Sequence, residues 1–155
     1  MLAFIAALVL TAQAASQKSA LDFWVGSWDV YSGKDLDGHD MVEKSLDGNA
    51  ITERWKGVSP GDEGMSLFYY RPFLGSWKQV WVTPVGMYKE KESELVPGGI
   101  RFTGKAFGPK GRTIDDRTTL TLNPDGTVRQ VIERSKDGGK TWEVGYDAIY
   151  RRSKG

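Results

Sequence analysis

Phe23-Trp24-Val25-Gly26-Ser27-Trp28-Asp29-Val30-Tyr31 is the stretch on which the fold turns. Alternate residues divide into an apolar face of Trp24, Gly26, Trp28 and Val30 and a mixed face of Phe23, Val25, Ser27, Asp29 and Tyr31. That is the period-two signature of a strand with one side buried. A glycine between two indoles marks a bend or the close approach of another segment, so Gly26 is expected to let the strand curl and Trp28 to close one end of a barrel.

Working outward, further strand-like runs are separated by turn chemistry at Asp47-Gly48, Pro60-Gly61, Pro72 to Gly75, Pro97-Gly98-Gly99, Gly108-Pro109, Asn123-Pro124-Asp125-Gly126 and Asp137-Gly138-Gly139. Short connections make hairpins, and hairpins in unbroken succession make an up-and-down meander, which removes its exposed edges by closing on itself. The reading is therefore all-β: a closed up-and-down antiparallel barrel of about nine or ten strands, wide enough to enclose one small ligand. Ser32 to His39 reads as a polar loop. Its Asp35, Asp37, His39 and Asp40 miss the calcium-loop spacing and read as a solvated turn.

The chain of 155 residues suits one barrel domain over residues 15–155 behind a leader at 1–14. Leu2 to Leu10 is an apolar run followed by the small-x-small pattern Ala12-Gln13-Ala14, as a signal peptidase requires. The run falls short of the roughly 20 apolar residues that cross a bilayer, so a periplasmic or secreted protein with no transmembrane segment in its mature chain is expected. The absence of cysteine excludes disulfides, thiol catalysis and thiolate metal sites. A single histidine, His39, excludes a multi-histidine metal site and leaves one base for any triad, with no nucleophile motif near it. A net charge of +1 points to neither nucleic acid nor an anionic membrane as partner. No metal, cofactor or nucleotide-binding loop is expected.

Parity assigns the interior. Ile51, Glu53, Trp55 and Gly57 share one face of their strand, which carries the Glu53 carboxylate inward among apolar neighbours. The same argument brings in Ile100 and Phe102, Asp116 and Thr118 with Arg117 left outside, and Val128, Gln130, Ile132 and Arg134. In the last strand Trp142, Val144, Tyr146, Ala148 and Tyr150 form one face. The hairpin from Met65 to Thr83 is apolar on both sides; the reading that turns Trp77, Gln79 and Trp81 inward is preferred over one that turns Lys78, Val80 and Val82 inward.

Gly26-Ser27-Trp28 on the first strand, with Arg151 and Arg152 ending the last, is similar to the lipocalin-type closure in which a Gly-x-Trp tryptophan packs under an arginine of the final strand. Together with Asp22 to Val30, Trp77-x-Gln79-Val80-Trp81-Val82 and Ser135-x-Asp137-Gly138-Gly139-x-Thr141-Trp142, the chain resembles an uncharacterised group of bacterial lipocalin-like, calycin-type barrels over nearly its whole mature length. The resemblance implies a lipocalin- or fatty-acid-binding-like fold and assigns no reaction. Ser135 to Trp142 also matches the Asp-box pattern of β-propellers, read here as a hairpin turn in which Asp137 accepts backbone N–H groups and Trp142 packs beneath.

The candidate ligand site is then Glu53, Gln79, Gln130 and Arg134, framed by Trp55, Trp81, Trp142, Tyr146 and Tyr150, with Gly26, Trp28, Asp137, Arg151 and Arg152 in structural roles. Buried charges need partners, so Glu53 and Arg134 should pair with each other or with a polar ligand, Arg134 taking a carboxylate and Glu53 a hydroxyl or amine. The leading expectation is non-catalytic binding of a small hydrophobic or aromatic molecule. The alternatives are a small barrel enzyme (isomerase, cyclase or hydrolase) with Glu53 as acid or base, and an envelope interaction module with a filled interior.

Overall fold

The computed structural model describes residues 17–154; the leader at 1–14 and the domain start at Ala15 lie outside them. Ten strands run β1 Gly26–Ser32, β2 Asp35–Ser45, β3 Ala50–Gly57, β4 Glu63–Arg71, β5 Ser76–Val82, β6 Tyr88–Val96, β7 Gly99–Phe107, β8 Thr113–Leu122, β9 Val128–Ser135 and β10 Glu143–Arg152. Every strand pairs antiparallel with its neighbours in sequence, and β1 pairs with β10, so the meander closes into a barrel as its short hairpins require. Each turn cluster read from the sequence separates two consecutive strands; the remaining connections are Gly33-Lys34 and Thr83 to Met87.

Three readings of the sequence are corrected. The opening strand begins at Gly26 rather than Phe23, because Asp22–Trp24 forms a 3-10 turn that delivers the buried Trp24 ring from outside the sheet. Ser32 to His39 is not a loop: Gly33 takes a left-handed φ of 62°, the chain reverses between the paired residues Ser32 and Asp35, and β2 begins at once. In β10 the register slips between Val144 and Tyr146, leaving Gly145 as an extra residue. One extra residue inverts the facing of everything before it, so Tyr146, Ala148 and Tyr150 follow the expected inward face whereas Val144 is exposed and Trp142 lies outside the strand.

Trp142 serves the turn instead. Its indole donates to the Gly139 carbonyl at 3.1 Å and lies under the Arg117 guanidinium at 4.3 Å. Arg117 points outward and holds Glu133 by two hydrogen bonds of 2.6 and 2.8 Å. Asp137 accepts the backbone N–H groups of Lys140 and Thr141 at 3.0 and 2.9 Å and the Ser135 and Thr141 hydroxyls at 2.7 and 2.6 Å. The Thr141 bonds above all hold its carboxyl down at about 2.

The apolar core occupies one end of the barrel. Leu21, Trp24, Trp28, Phe68, Trp77 and Phe102 are all buried, with Trp24 edge-on to Phe68 at 5.5 Å and Phe68 edge-on to Phe102 at 5.2 Å. The indoles of Trp28 and Trp77 donate to the carbonyls of Trp24 and Gln17 at 2.7 and 2.9 Å, fixing the segment before β1 across this end. Arg152 lies 3.8 Å over the Trp28 ring and donates to the Val25 carbonyl at 2.7 Å; Arg151 lies over Tyr31 instead. Gly26, at φ 137°, makes this closure possible, because a Cβ there would collide with the Arg152 guanidinium.

Candidate functional site

The other end of the barrel is hollow. A cavity of about 460 Å³ opens there, within the usual range for sites that bury a small molecule. Trp55, Trp81, Tyr146 and Tyr150 line it, as do Glu53, Gln79, Gln130 and Arg134, whereas Trp142 does not. Tyr150 stands at the boundary between the two ends, since its ring also packs edge-on against Trp24 and Trp28.

The polar side chains fall into an acidic and a basic group. On the acidic side Glu53 of β3 is buried and accepts a 2.5 Å hydrogen bond from the Ser66 hydroxyl of β4, which in turn accepts one of 3.1 Å from the Gln79 amide of β5. The strand register places Glu53 opposite Ser66, so this chain runs sideways across the sheet. Behind Glu53 lies Asp40 of β2, both of whose carboxyl oxygens are buried without a hydrogen bond of good geometry. Burial, reinforced by the neighbouring Glu53, pushes Asp40 from 3.8 up to about 10, so it carries a proton at neutral pH. Burial raises Glu53 too, against the opposing pull of Ser66, Asp40, Lys89 and Lys91.

On the basic side Lys91 of β6 is almost wholly buried, pairs with Asp116 of β8, and donates to the Thr118 hydroxyl at 2.6 Å. Lys89 reaches the same carboxylate at 3.1 and 3.3 Å. Gly104 of β7 lies between Lys91 and Asp116 in register, and a Cβ there would strike the Glu90 carbonyl, so only glycine lets the two charges meet across it. Burial and the nearby Lys89 lower Lys91 to about 8, with Asp116 opposing. Burial alone would raise Asp116, but Lys91 and Lys89 outweigh it and its carboxyl stays below the ordinary value.

Bulges shape the mouth. The register of β1 and β2 shifts so that Asp37 is the extra residue, and its carboxylate accepts the Tyr146 hydroxyl at 2.8 Å. Trp55 donates to Asp62 at 3.1 Å. Arg134 is about half exposed at this rim, and its nearest acid is Asp116 at 3.8 Å. The expected Glu53–Arg134 pair is therefore corrected: Glu53 belongs to Ser66 and Asp40 on one wall, and Arg134 stands beside Asp116 on another. The Asp35 to Asp40 cluster divides as well, since His39 is exposed and bonded to Asp29 at 2.8 Å while Asp40 is buried.

Lys89, Lys91, Asp40 and Asp37 are cavity or near-cavity groups that the sequence reading leaves out. The signal for the lysines is present: Lys89-Glu90-Lys91-Glu92 alternates in sign with period two, so whichever face takes Lys91 takes Lys89 also. Among the described residues no cluster of three His, Asp or Glu side chains has the geometry to hold a metal ion, and no helix is long and apolar enough to cross a membrane. The fold is a closed ten-stranded up-and-down barrel, consistent with a calycin-like architecture. No protein-family model matches the chain, and no curated protein matches it significantly.

Proposed function

We propose that the chain is an exported, lipocalin-like binding protein that holds a small aromatic or hydrophobic molecule with a polar head in the open half of its barrel, without transforming it. The observation that carries this reading is the cavity of about 460 Å³, walled by the rings of Trp55, Trp81, Tyr146 and Tyr150 over a polar floor. A filled-interior module fits less well, because the apolar residues that fill one end stop short of the other. An acid–base role for Glu53 also fits less well, because its carboxylate is already engaged by Ser66 and backed by Asp40. The lipocalin-like kinship rests on the Trp28–Arg152 closure and the meander, and export rests on the leader sequence.

The test is native mass spectrometry of protein purified from its own host, with tryptophan-fluorescence titration against a panel of aromatic and acyl compounds. A retained small organic mass, and quenching that saturates for aromatic members of the panel, are expected. No retained mass and no saturable response would overturn the reading. N-terminal sequencing of the exported protein should begin near Ala15; an intact Met1 in the cytosol would refute export.

A further inference from the structure

Two carboxamides that line the cavity are left with unused hydrogen-bonding groups. Gln79 is 7% exposed, its amide nitrogen is committed to Ser66, and its Oε1 is buried with no partner. The Ser66 hydroxyl is itself committed to Glu53, so it accepts from Gln79 and fixes which end of that carboxamide is free. Gln130 is 8% exposed; among the described residues its side chain has no hydrogen-bond partner, and its amide atoms, unlike the Gln79 oxygen, are not sealed from the solvent of the cavity. The two stand on β5 and β9, four steps apart around a ten-strand barrel, and both line the one cavity.

Leaving the Gln79 oxygen unpaired is costly, because a buried polar atom without a partner forfeits its hydration and gains nothing in return, while the Gln130 amide is left with only the contents of the cavity to bond. The neighbouring polar groups do not relieve it. Lys91 is held by Asp116 and Thr118, Lys89 by Asp116, and Glu53 by Ser66. A carboxamide at 130 that bonds no protein group and lines the cavity is placed to meet a ligand there.

The geometry points to a ligand class: a planar nitrogen heterocycle with a lactam-like edge, whose N–H meets the free Gln79 oxygen or the Gln130 oxygen and whose carbonyl meets the Gln130 amide, its rings lying among Trp55, Trp81 and Tyr146. A carboxamide presents a donor and an acceptor side by side, which is the complement of such an edge. The inference rests on the binding-barrel reading above and specifies what that barrel selects.

The test uses 1-isoquinolone and isocoumarin, bicyclic molecules of one outline in which the lactam N–H is replaced by a ring oxygen. Isothermal titration of the intact protein should show the lactam bound about tenfold or more tightly, the order expected when one buried hydrogen-bonding group is left unpaired. Gln130→Met should abolish most of that preference while leaving the thermal midpoint of the empty protein close to that of the wild type. Gln79→Met should also reduce the preference, though it removes the Ser66 bond and lowers the midpoint. Equal binding of the two bicycles would overturn the inference and leave the aromatic cavity standing, with ordered water serving the carboxamides. A preference that survives both substitutions would overturn it equally. Failure of both bicycles to bind at millimolar concentration would overturn the inference together with the aromatic-ligand reading beneath it.

Discussion

At the closed end of the barrel Trp24, Trp28, Trp77, Phe68 and Phe102 fill the interior with rings, whereas at the open end the strands turn Glu53, Gln79, Lys91, Asp116 and Gln130 inward around a cavity. The two ends share one sheet and one hydrogen-bond ladder but differ in what their interiors contribute. Each buried aromatic removes roughly 150–250 Å² from water at about 25 cal/mol per Å², so the closed end is where folding free energy is gained. The polar groups of the open end must be desolvated, and mutual pairing offsets that cost without producing a comparable gain. Stability is thus concentrated where nothing can bind, and the groups able to recognise a ligand lie where the barrel is least filled.

The sharpest way to break this comparison is at Trp28. Trp28→Ala removes a fully buried ring and the surface under Arg152, and should cost about 3 to 5 kcal/mol in chemical denaturation. A loss much below this would mean that the closed end is not where stability resides.

At the open end the largest effect should come from Asp116, the carboxylate shared by Lys89 and Lys91. Asp116→Asn keeps the shape but leaves two cations without a counter-charge, so a loss of about 3 kcal/mol is expected. Adding Lys91→Met should recover part of it, measured by the same denaturation. If the double variant were less stable than Asp116→Asn alone, the pair would be contributing more than mutual neutralisation.

A third test uses pH. Asp40 binds its proton more tightly folded, at about 10, than unfolded, near 3.8, so its contribution to stability is fully present below the unfolded value and is lost as pH rises toward the folded one. Asparagine imitates the protonated acid and does not titrate. Between pH 5 and 9 the thermal midpoint of Asp40→Asn should therefore fall less than that of the wild type, and the gap should widen with pH. Parallel curves would show that Asp40 is not the titrating group.

The contrast between the ends also explains what could be read beforehand. The all-β closed barrel follows from alternation and turn chemistry; parity alone turns Glu53, Asp116 and Gln130 inward, and the preference for the tryptophan face of a hairpin that parity leaves undecided adds Gln79, as these side chains lie in the structure. Period two fails at the mouth, where Asp37 and Gly145 each add one residue to a strand. A bulge carries no obligatory sequence mark, so Trp142 is assigned to the wrong face by counting from Tyr150. Asp40 is missed for another reason: the run Asp35-Leu36-Asp37-Gly38-His39-Asp40 looks solvated by composition, yet one of its acids is among the most buried polar residues described.

The smallest expected effect separates the walls of the open end from each other. Glu53 and Arg134 stand on β3 and β9, four steps apart through β2, β1 and β10, with Ser66 bonded to the first and Asp116 nearest the second. Residues without a shared partner lose stability additively, to within roughly 0.3–0.5 kcal/mol. A double-mutant cycle on thermal unfolding with Glu53→Gln and Arg134→Met should accordingly show no coupling beyond that margin. The same cycle with Glu53→Gln and Asp40→Asn should show coupling, because Glu53 raises the cost of ionising Asp40 while the Asp40 carboxyl in turn favours the ionised form of Glu53, so removing either changes the other's surroundings. Coupling in the first cycle, or strict additivity in the second, would dissolve the division of the cavity into an acidic wall and a basic one. The polar floor would then have to be treated as one network, in which a ligand's charge could be answered from either side.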